Sequence, residues 1–535
     1  MNAKSTRLRF PIFLFLLALV LILSRQTALT HNLQLHPDEH VFYEASDSMA
    51  RFLLGRAESY EELKEYPEGN FVFQLPFQLI AQLTLDEPDI HIVARLSSLF
   101  YFAIAAVLGC VVLKRYFPKR RGTVPVYALC MLFSLMHIEQ SRYATGEAST
   151  FLTLMLVIIT TAEALRGGKH RTLLLVLSFF LCGVAAAIKY PQGYFFLLPL
   201  YALVVRCKGT EKKRRFPLWL ISFFALFAGL MLFSPKAILD PLYFYRACRR
   251  EVGEYLVRGT LCEVGGALNH LVSILIYALF YADLPLSPVL FVLSVVKLGK
   301  TVRKDEPTEV FFARIVPAVT FVFLLYNAFV KTLYMRTVYP WFCISLLYAC
   351  DGAGMLLERR GVKRVAVLAL TALMVLRGGY FIYALSERDA AERYAELVYS
   401  APDENWSRTT LLMAGAQLPL ETDGLVNYIP EDIAWDAKTY ATTLDPDTSR
   451  YLEPGELLIS QSQSHGWCQH YLFPVRDPRI IYIINRWDNF VAKNKDCFVG
   501  QVYPEHYYYL FGYWVRGTTG TDYEFPSNMV FYKSA

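Results

Sequence analysis

The chain has 535 residues, 55% of them apolar and only 19% charged, with a mean hydropathy of +0.31. A soluble domain carries nearer a quarter charged residues, so this balance excludes an ordinary soluble enzyme and indicates an integral membrane protein. The formal net charge of +6 is therefore read by its distribution between loops, not as affinity for nucleic acid.

Lys4, Arg7 and Arg9 precede a first apolar run at 10–23. A cleaved signal peptide shares that pattern. No clear small-x-small cleavage site follows before residue 36, which favours a retained helix. Beyond it lies His36-Pro37-Asp38-Glu39-His40. Pro37 biases His36 away from helical geometry, so the two acids begin a new element at the membrane surface. Acids held near lipid are costly and mark a functional site. The alternative is a helix over 39–54 with Asp38 as its N-cap.

Apolar runs recur at 92–113, 123–138, 149–165, 172–188, 191–205, 216–234, 268–298, 309–330, 334–352 and 364–385. Run 268–298 contains Pro285 and Pro288 and reads as one tilted or broken helix, or as two short ones. Basic clusters fall at every second connection: 114–121, 166–171, 206–215, 297–304 and 359–364. The intervening connections carry only Arg142, Lys189, and Lys331 with Arg336. By the positive-inside rule the first set is cytoplasmic, giving about eleven spans with the amino terminus inside and the tail after 385 outside.

Two long external segments follow, 25–91 and 235–267. In the first, residues 71–85 are apolar but place Gln74, Gln78 and Gln82 on one helical face, the pattern of an interfacial or partly re-entrant helix. The second holds Ser234-Pro235-Lys236, Asp240-Pro241, an aromatic patch at 243–245, and Arg246, Arg249 and Arg250. That composition also suits an amphipathic helix lying on the membrane.

After 385 the composition changes. Residues 386–400 predict an amphipathic helix, and β-type runs follow at 410–413, 457–460, 480–484, 507–515 and 529–532. Residues 1–385 thus read as a transmembrane domain, and 386–535 as an extracytoplasmic soluble α/β domain of about 150 residues. The ten cysteines show no CxxC or metal-type spacing. Cys248 with Cys262, and Cys468 with Cys497, lie in external segments where disulfides form. No phosphate-binding glycine loop of a standard pattern occurs.

The external helix ends collect acids and bases at one level: Asp38 and Glu39, Arg95, His137, Glu139, Arg142 with Tyr143, Glu147, Lys189, and Arg336 before Tyr339-Pro340. Each has a plainer reading. The arginines snorkel at the interface, and Glu147 favours the start of the next helix. His31, His36, His40 and His137 offer no standard ligand spacing, so no metal site is assigned.

These motifs, in this order, resemble the GT-C type glycosyltransferases that use lipid-linked sugars, near the protein O-mannosyltransferases and the lipid A aminoarabinose transferases. The likeness rests on His36-Pro37-Asp38-Glu39 after the first span, Arg95 opening the second, and Ser141-Arg142-Tyr143 with Glu147. Gly183 to Lys189-Tyr190, Ser234-Pro235 with Asp240, and Arg336 to Tyr339-Pro340 extend it over roughly 8–400. Glu147 stands where aspartate is common among those relatives, and the tail matches no known module.

The resemblance implies a polytopic helical enzyme of the inner or plasma membrane. It would move a hexosyl or pentosyl group from a polyprenyl-phosphate or pyrophosphate donor to a protein, lipid or glycan at the extracytoplasmic face, with inversion. Asp38 is expected as base and Glu39 as its support. Arg95, Lys189 and Arg336 are expected to bind the donor phosphate, and Glu147, Arg142 and Tyr143 to form the acceptor or second-acid site. No resident cofactor is implied, and a divalent ion is neither required nor specified. The competing class is a lipid-linked-substrate flippase or secondary transporter, which needs charges along a pathway through the span centres and matching breaks in repeated halves.

Overall fold

The computed structural model describes residues 3–26, 39–60, 67–86, 88–208, 211–253, 267–303, 305–330, 335–385, 410–414, 456–461, 493–502 and 528–532, with residue 87 outside them. Helix α1 (Ala3–Leu23) takes up the first apolar run, and α2 (Glu39–Leu53) begins directly on the second acid of the motif. Then come α3 (Gly69–Thr84), α4 (Ile90–Tyr116), α5 (Thr123–Phe133), the short α6 (Leu135–Arg142), α7 (Glu147–Arg166) and α8 (Arg171–Ile188). A 3-10 turn at Tyr190–Phe196 leads into α9 (Leu197–Lys208), followed by α10 (Lys212–Leu232) and α11 (Pro241–Gly253). The helical part closes with α12 (Ala267–Tyr277), α13 (Ser287–Thr301), α14 (Val316–Phe329), α15 (Tyr339–Leu357) and α16 (Val362–Leu385).

Among the described residues six helical segments are long and apolar enough to cross a membrane: Ile90–Tyr116, Glu147–Arg166, Arg171–Ile188, Lys213–Leu232, Pro307–Phe329 and Arg336–Leu357. With the composition, they make the chain an integral membrane protein. Other expected runs form shorter apolar helices, among them Arg9–Leu23, Thr123–Phe133 and His270–Phe280. Run 268–298 is broken. A π turn at Ala278–Ala282 ends α12, Leu286 adopts φ +66°, and Pro288 sits in the first turn of α13. Proline fits there because the first turn leaves its backbone donors unused.

Helices α8 and α10 approach backbone to backbone. Gly183 lies over the Leu226 carbonyl and Gly229 over that of Phe180, with no room for a Cβ at either position. Small residues of this kind drive helix association in lipid, where there is no hydrophobic gain from burying apolar surface. The bundle interior is lined by residues such as Phe102, Tyr127, Phe151, Phe342 and Tyr348.

Two residues of the basic connection 114–121 pair with acids of neighbouring helices. Arg115 at the end of α4 bonds Glu163 at the end of α7 at 2.8 Å. Arg120, just before α5, pairs with Asp351 of α15, which also accepts from Ser294 of α13 at 2.8 Å. Arg95 and Glu147 open α4 and α7, and Arg115 and Arg166 close the same two helices.

In α3 the three glutamines face the protein. Gln74, Gln78 and Gln82 are 1%, 0% and 4% exposed, while Ile80 and Leu83 on the other side are more than half exposed. An apolar helix surface directed outward and amides directed inward is the arrangement that a lipid environment favours.

In the tail, β1 (Thr410–Ala414), β2 (Glu456–Gln461), β3 (Phe498–Val502) and β4 (Asn528–Tyr532) form one sheet of order β1-β2-β4-β3. β1 and β2 run parallel, the other two pairings are antiparallel, and an irregularity falls between Phe498 and Gly500. Three of the five expected runs, at 410–413, 457–460 and 529–532, are strands here. The runs at 480–484 and 507–515 and the helix at 386–400 lie outside the described residues.

Candidate active site

The acid motif enters the bundle through its second residue. Glu39 opens α2, and Arg95 is the sixth residue of α4. The guanidinium grips the carboxylate with two bonds, Nε to Oε1 at 3.2 Å and Nη2 to Oε2 at 2.9 Å. Both side chains are 0% exposed. Only a paired charge is tolerated at such a position, and arginine's planar fork suits it.

Glu39 has a second task. Its Oε1 accepts the backbone N–H of Ala144 at 2.7 Å. The carbonyl of the same Ala144 accepts from Gln74 Nε2 at 2.8 Å and from Asn70 Nδ2 at 3.3 Å. Ser149 in turn donates to Asn70 Oδ1 at 3.3 Å. The turn at 143–146 is therefore held from α2 through Glu39, from α3 through Gln74 and Asn70, and from α7 through Ser149. It carries Tyr143, whose ring lies 5.1 Å from the Arg142 guanidinium, and it delivers Glu147 to the start of α7.

Glu147 is buried and ion-paired with Lys189, which ends α8 and remains a quarter exposed. The charge of Arg336, on the turn Met335–Val338 before α15, also acts on Glu147. Gln192 donates to Thr150 at 2.8 Å, fixing the turn after Lys189 against α7. Gly69 sits against the backbone of Ala187 and Ile188 with no space for a side chain, which seats α3 beside Lys189. Glu68 accepts the backbone N–H of Lys236 at 2.7 Å, joining the segment after α10 to the same end.

Of the residues expected from the sequence, the structure brings together Glu39 with Arg95, Arg142 with Tyr143, and Glu147 with Lys189 and Arg336. Asp38 lies outside the described residues. Arg95 is engaged by Glu39. Among the described residues no three His, Cys, Asp or Glu side chains converge as ligands of a metal ion would.

Two titrating groups flank this set. Asp89, before α4, is drawn up by partial burial but pulled further down by its hydrogen bond and charge interaction with His91, and ends below the usual carboxylate range. Burial, reinforced by the charges of Glu44 and Glu39, pushes the Tyr43 phenol well above its ordinary value. That phenol stays protonated at neutral pH.

Sequence reasoning missed a second polar group inside the bundle. Ser134 donates to Asp283 at 2.6 Å, His137 Nε2 lies 3.4 Å from the same carboxylate, and His137 Nδ1 is 2.9 Å from the Tyr339 hydroxyl. Arg377 donates to the Asp283 carbonyl at 3.3 Å. Arg25 is buried under the Phe102 ring and donates to the Met131 carbonyl at 2.7 Å. The available signal was Asp283, the one acid in run 268–298. The amide clamp on Ala144 was equally hidden, although the regular spacing of the three glutamines announced an inward polar face.

No family model matches the chain, and no curated protein matches it. Among solved structures it is similar to the lipid A aminoarabinose transferase ArnT of Cupriavidus metallidurans bound to undecaprenyl phosphate. That likeness has a TM-score of 0.47 at 12% identity, over 87% of this chain and 94% of that one. It is also similar to the Archaeoglobus fulgidus oligosaccharyltransferase in complex with zinc and sulfate, with a TM-score of 0.43, 11% identity, and 84% and 67% of the two chains covered. The oligosaccharyltransferase AglB of Archaeoglobus fulgidus, in complex with an inhibitory peptide and a dolichol-phosphate, is similar with a TM-score of 0.42 at 10% identity, over 85% and 70%.

Proposed function

We propose that this chain is a membrane glycosyltransferase that moves a sugar from a polyprenyl-phosphate or pyrophosphate donor to an acceptor hydroxyl or amine at the extracytoplasmic face. One observation carries the reading. Glu39, covalently next to Asp38, is locked by Arg95 and by the Ala144 amide, and the turn it holds presents Glu147 to Lys189 and Arg336. Glu39 of the acid motif, the Glu147 carboxylate and two cations are thereby linked through one hydrogen-bonded turn, which supports the reading.

In this reading Asp38 takes the proton from the acceptor. The acceptor atom forms a bond to the anomeric carbon as the bond from that carbon to the phosphate oxygen breaks. The electron pair leaves on the lipid phosphate, where Lys189 and Arg336 balance the growing charge. A single displacement of this kind inverts the anomeric carbon. Arg95 and Glu39 act as positioning residues, and Glu147, Arg142 and Tyr143 form the acceptor side. The tail, as an extracytoplasmic α/β domain, lies on that same side.

A flippase reading draws on the buried group around Asp283, since intramembrane charges also line transport pathways. The two readings separate in proteoliposomes that hold the purified chain, a polyprenyl-phosphate sugar and an envelope extract as acceptor. The transferase releases free polyprenyl phosphate as labelled sugar appears on acceptor. Movement of intact lipid-linked sugar between leaflets, with no cleavage, overturns it in favour of the flippase.

A further inference from the structure

At the end of the bundle opposite the acid motif, a pocket of about 800 Å3 opens between α1, the end of α4 and the start of α5. Lys114, Lys119 and Arg121 line it together with Phe10, Val111 and Val124. Two further cations on its wall are already neutralised: Arg115 by Glu163 and Arg120 by Asp351. Among the described residues Lys114, Lys119 and Arg121 have no carboxylate partner, so the pocket holds three uncompensated positive charges. The Lys114 ammonium sits 3.3 Å from the centre of the Phe10 ring, which fixes it over the apolar wall.

This combination is specific in chemical terms. Snorkelling lysines alone extend away from the bundle into water. Here the cations surround a concave space whose other wall is aromatic and aliphatic, at the level where helices leave the membrane. A ligand that matches both walls is anionic at one end and apolar at the other.

We propose that the pocket binds the phosphate headgroup of an anionic phospholipid from the leaflet on the basic side of the membrane. The phosphate meets Lys114, Lys119 and Arg121, and the glycerol and upper acyl carbons lie along Phe10, Val111 and Val124. Basic pockets between transmembrane helices on the cytoplasmic side have the charge and depth that such headgroups need. The site is remote from the acid motif and does not depend on the transfer reaction proposed above.

The test is lipid titration of the detergent-solubilised full chain by native mass spectrometry, with phosphatidylglycerol against phosphatidylcholine. Three uncompensated cations predict a preference for phosphatidylglycerol of about tenfold or more. The triple variant Lys114→Gln, Lys119→Gln, Arg121→Gln is expected to lose it. The charge-keeping variant Lys114→Arg, Lys119→Arg, Arg121→Lys is expected to retain it, as is a control that removes Lys213, Lys297 and Lys300 from other basic loops. No preference, or a preference that survives the triple Gln variant, overturns the proposal. Saturable binding of inorganic phosphate alone, with displacement of the lipid at millimolar concentration, overturns it in favour of a free-phosphate site.

Discussion

Arg95 and Glu39 define the residue scale of this protein. Both are fully buried, and each satisfies the other through two bonds. Removing one member leaves the other charged and unpaired in a dry interior, which costs about 3–5 kcal/mol. Arg95→Ala should therefore lower stability by that amount in denaturant unfolding of the detergent-solubilised chain. Arg95→Lys should recover only part of it, because an ammonium cannot reproduce the two-pronged geometry. A loss below about 1 kcal/mol, the range of exposed pairs, would show that the pair is not a buried structural lock. Lys189 differs from Arg95 in remaining partly exposed beside Glu147. As a donor-phosphate ligand, Lys189→Met should cost about 3 kcal/mol of transition-state binding. That is roughly a hundred-fold in kcat/KM for the lipid-linked donor, together with a lowered melting temperature, because buried Glu147 loses its ion-pair partner. An unchanged kcat/KM removes Lys189 from the donor site.

Among the elements, the α8–α10 contact is the most sharply specified. Gly183 and Gly229 let the two backbones touch, so Gly183→Val places a branched side chain against the Leu226 carbonyl. Overpacking of this kind costs about 1–3 kcal/mol or more. A lowered melting temperature for Gly183→Val, with Gly299→Ala as a reference at an open position near the end of α13, is the expected outcome; equal stability of the two would contradict the contact. The elements also show what the sequence makes legible. Long apolar helices such as α4 and α8 are read directly from hydropathy, because lipid imposes a length and a composition on them. The inward face of α3 follows from the four-residue spacing of its glutamines. The break at 283–286 is less legible: Pro285 and Pro288 signal an interruption, but the left-handed Leu286 does not. In the tail the alternation predicts strands at 410–413, 457–460 and 529–532, whereas β3 at Phe498–Val502 carries Gly500 at an irregularity and has no clear period of two.

Across the described residues, helices such as α4 and α7 carry Arg95 and Glu147 at one end and Arg115 and Arg166 at the other. At one end, the connection 114–121 is tied to its neighbours by Arg115 with Glu163 and Arg120 with Asp351. That charged residues would collect at the helix ends was legible in the sequence, since acids and bases are costly within the spans. Their pairing was not, because pairing depends on helix rotation, and a one-dimensional pattern of charges leaves rotation free. The assignment of Glu39 to Arg95, and of the Ala144 peptide to Glu39 and Gln74, needed the three-dimensional arrangement. So did the group around Asp283, in which His137 and Tyr339 meet from 202 residues apart along the chain. The central claim is that the acid motif deprotonates the acceptor. Its direct measurement is sugar transfer by purified full-length Asp38→Asn with a polyprenyl-phosphate sugar donor, alongside the melting temperature of the same sample. Loss of transfer at unchanged melting temperature is the result the account predicts, and transfer at the rate of the unaltered protein would contradict it.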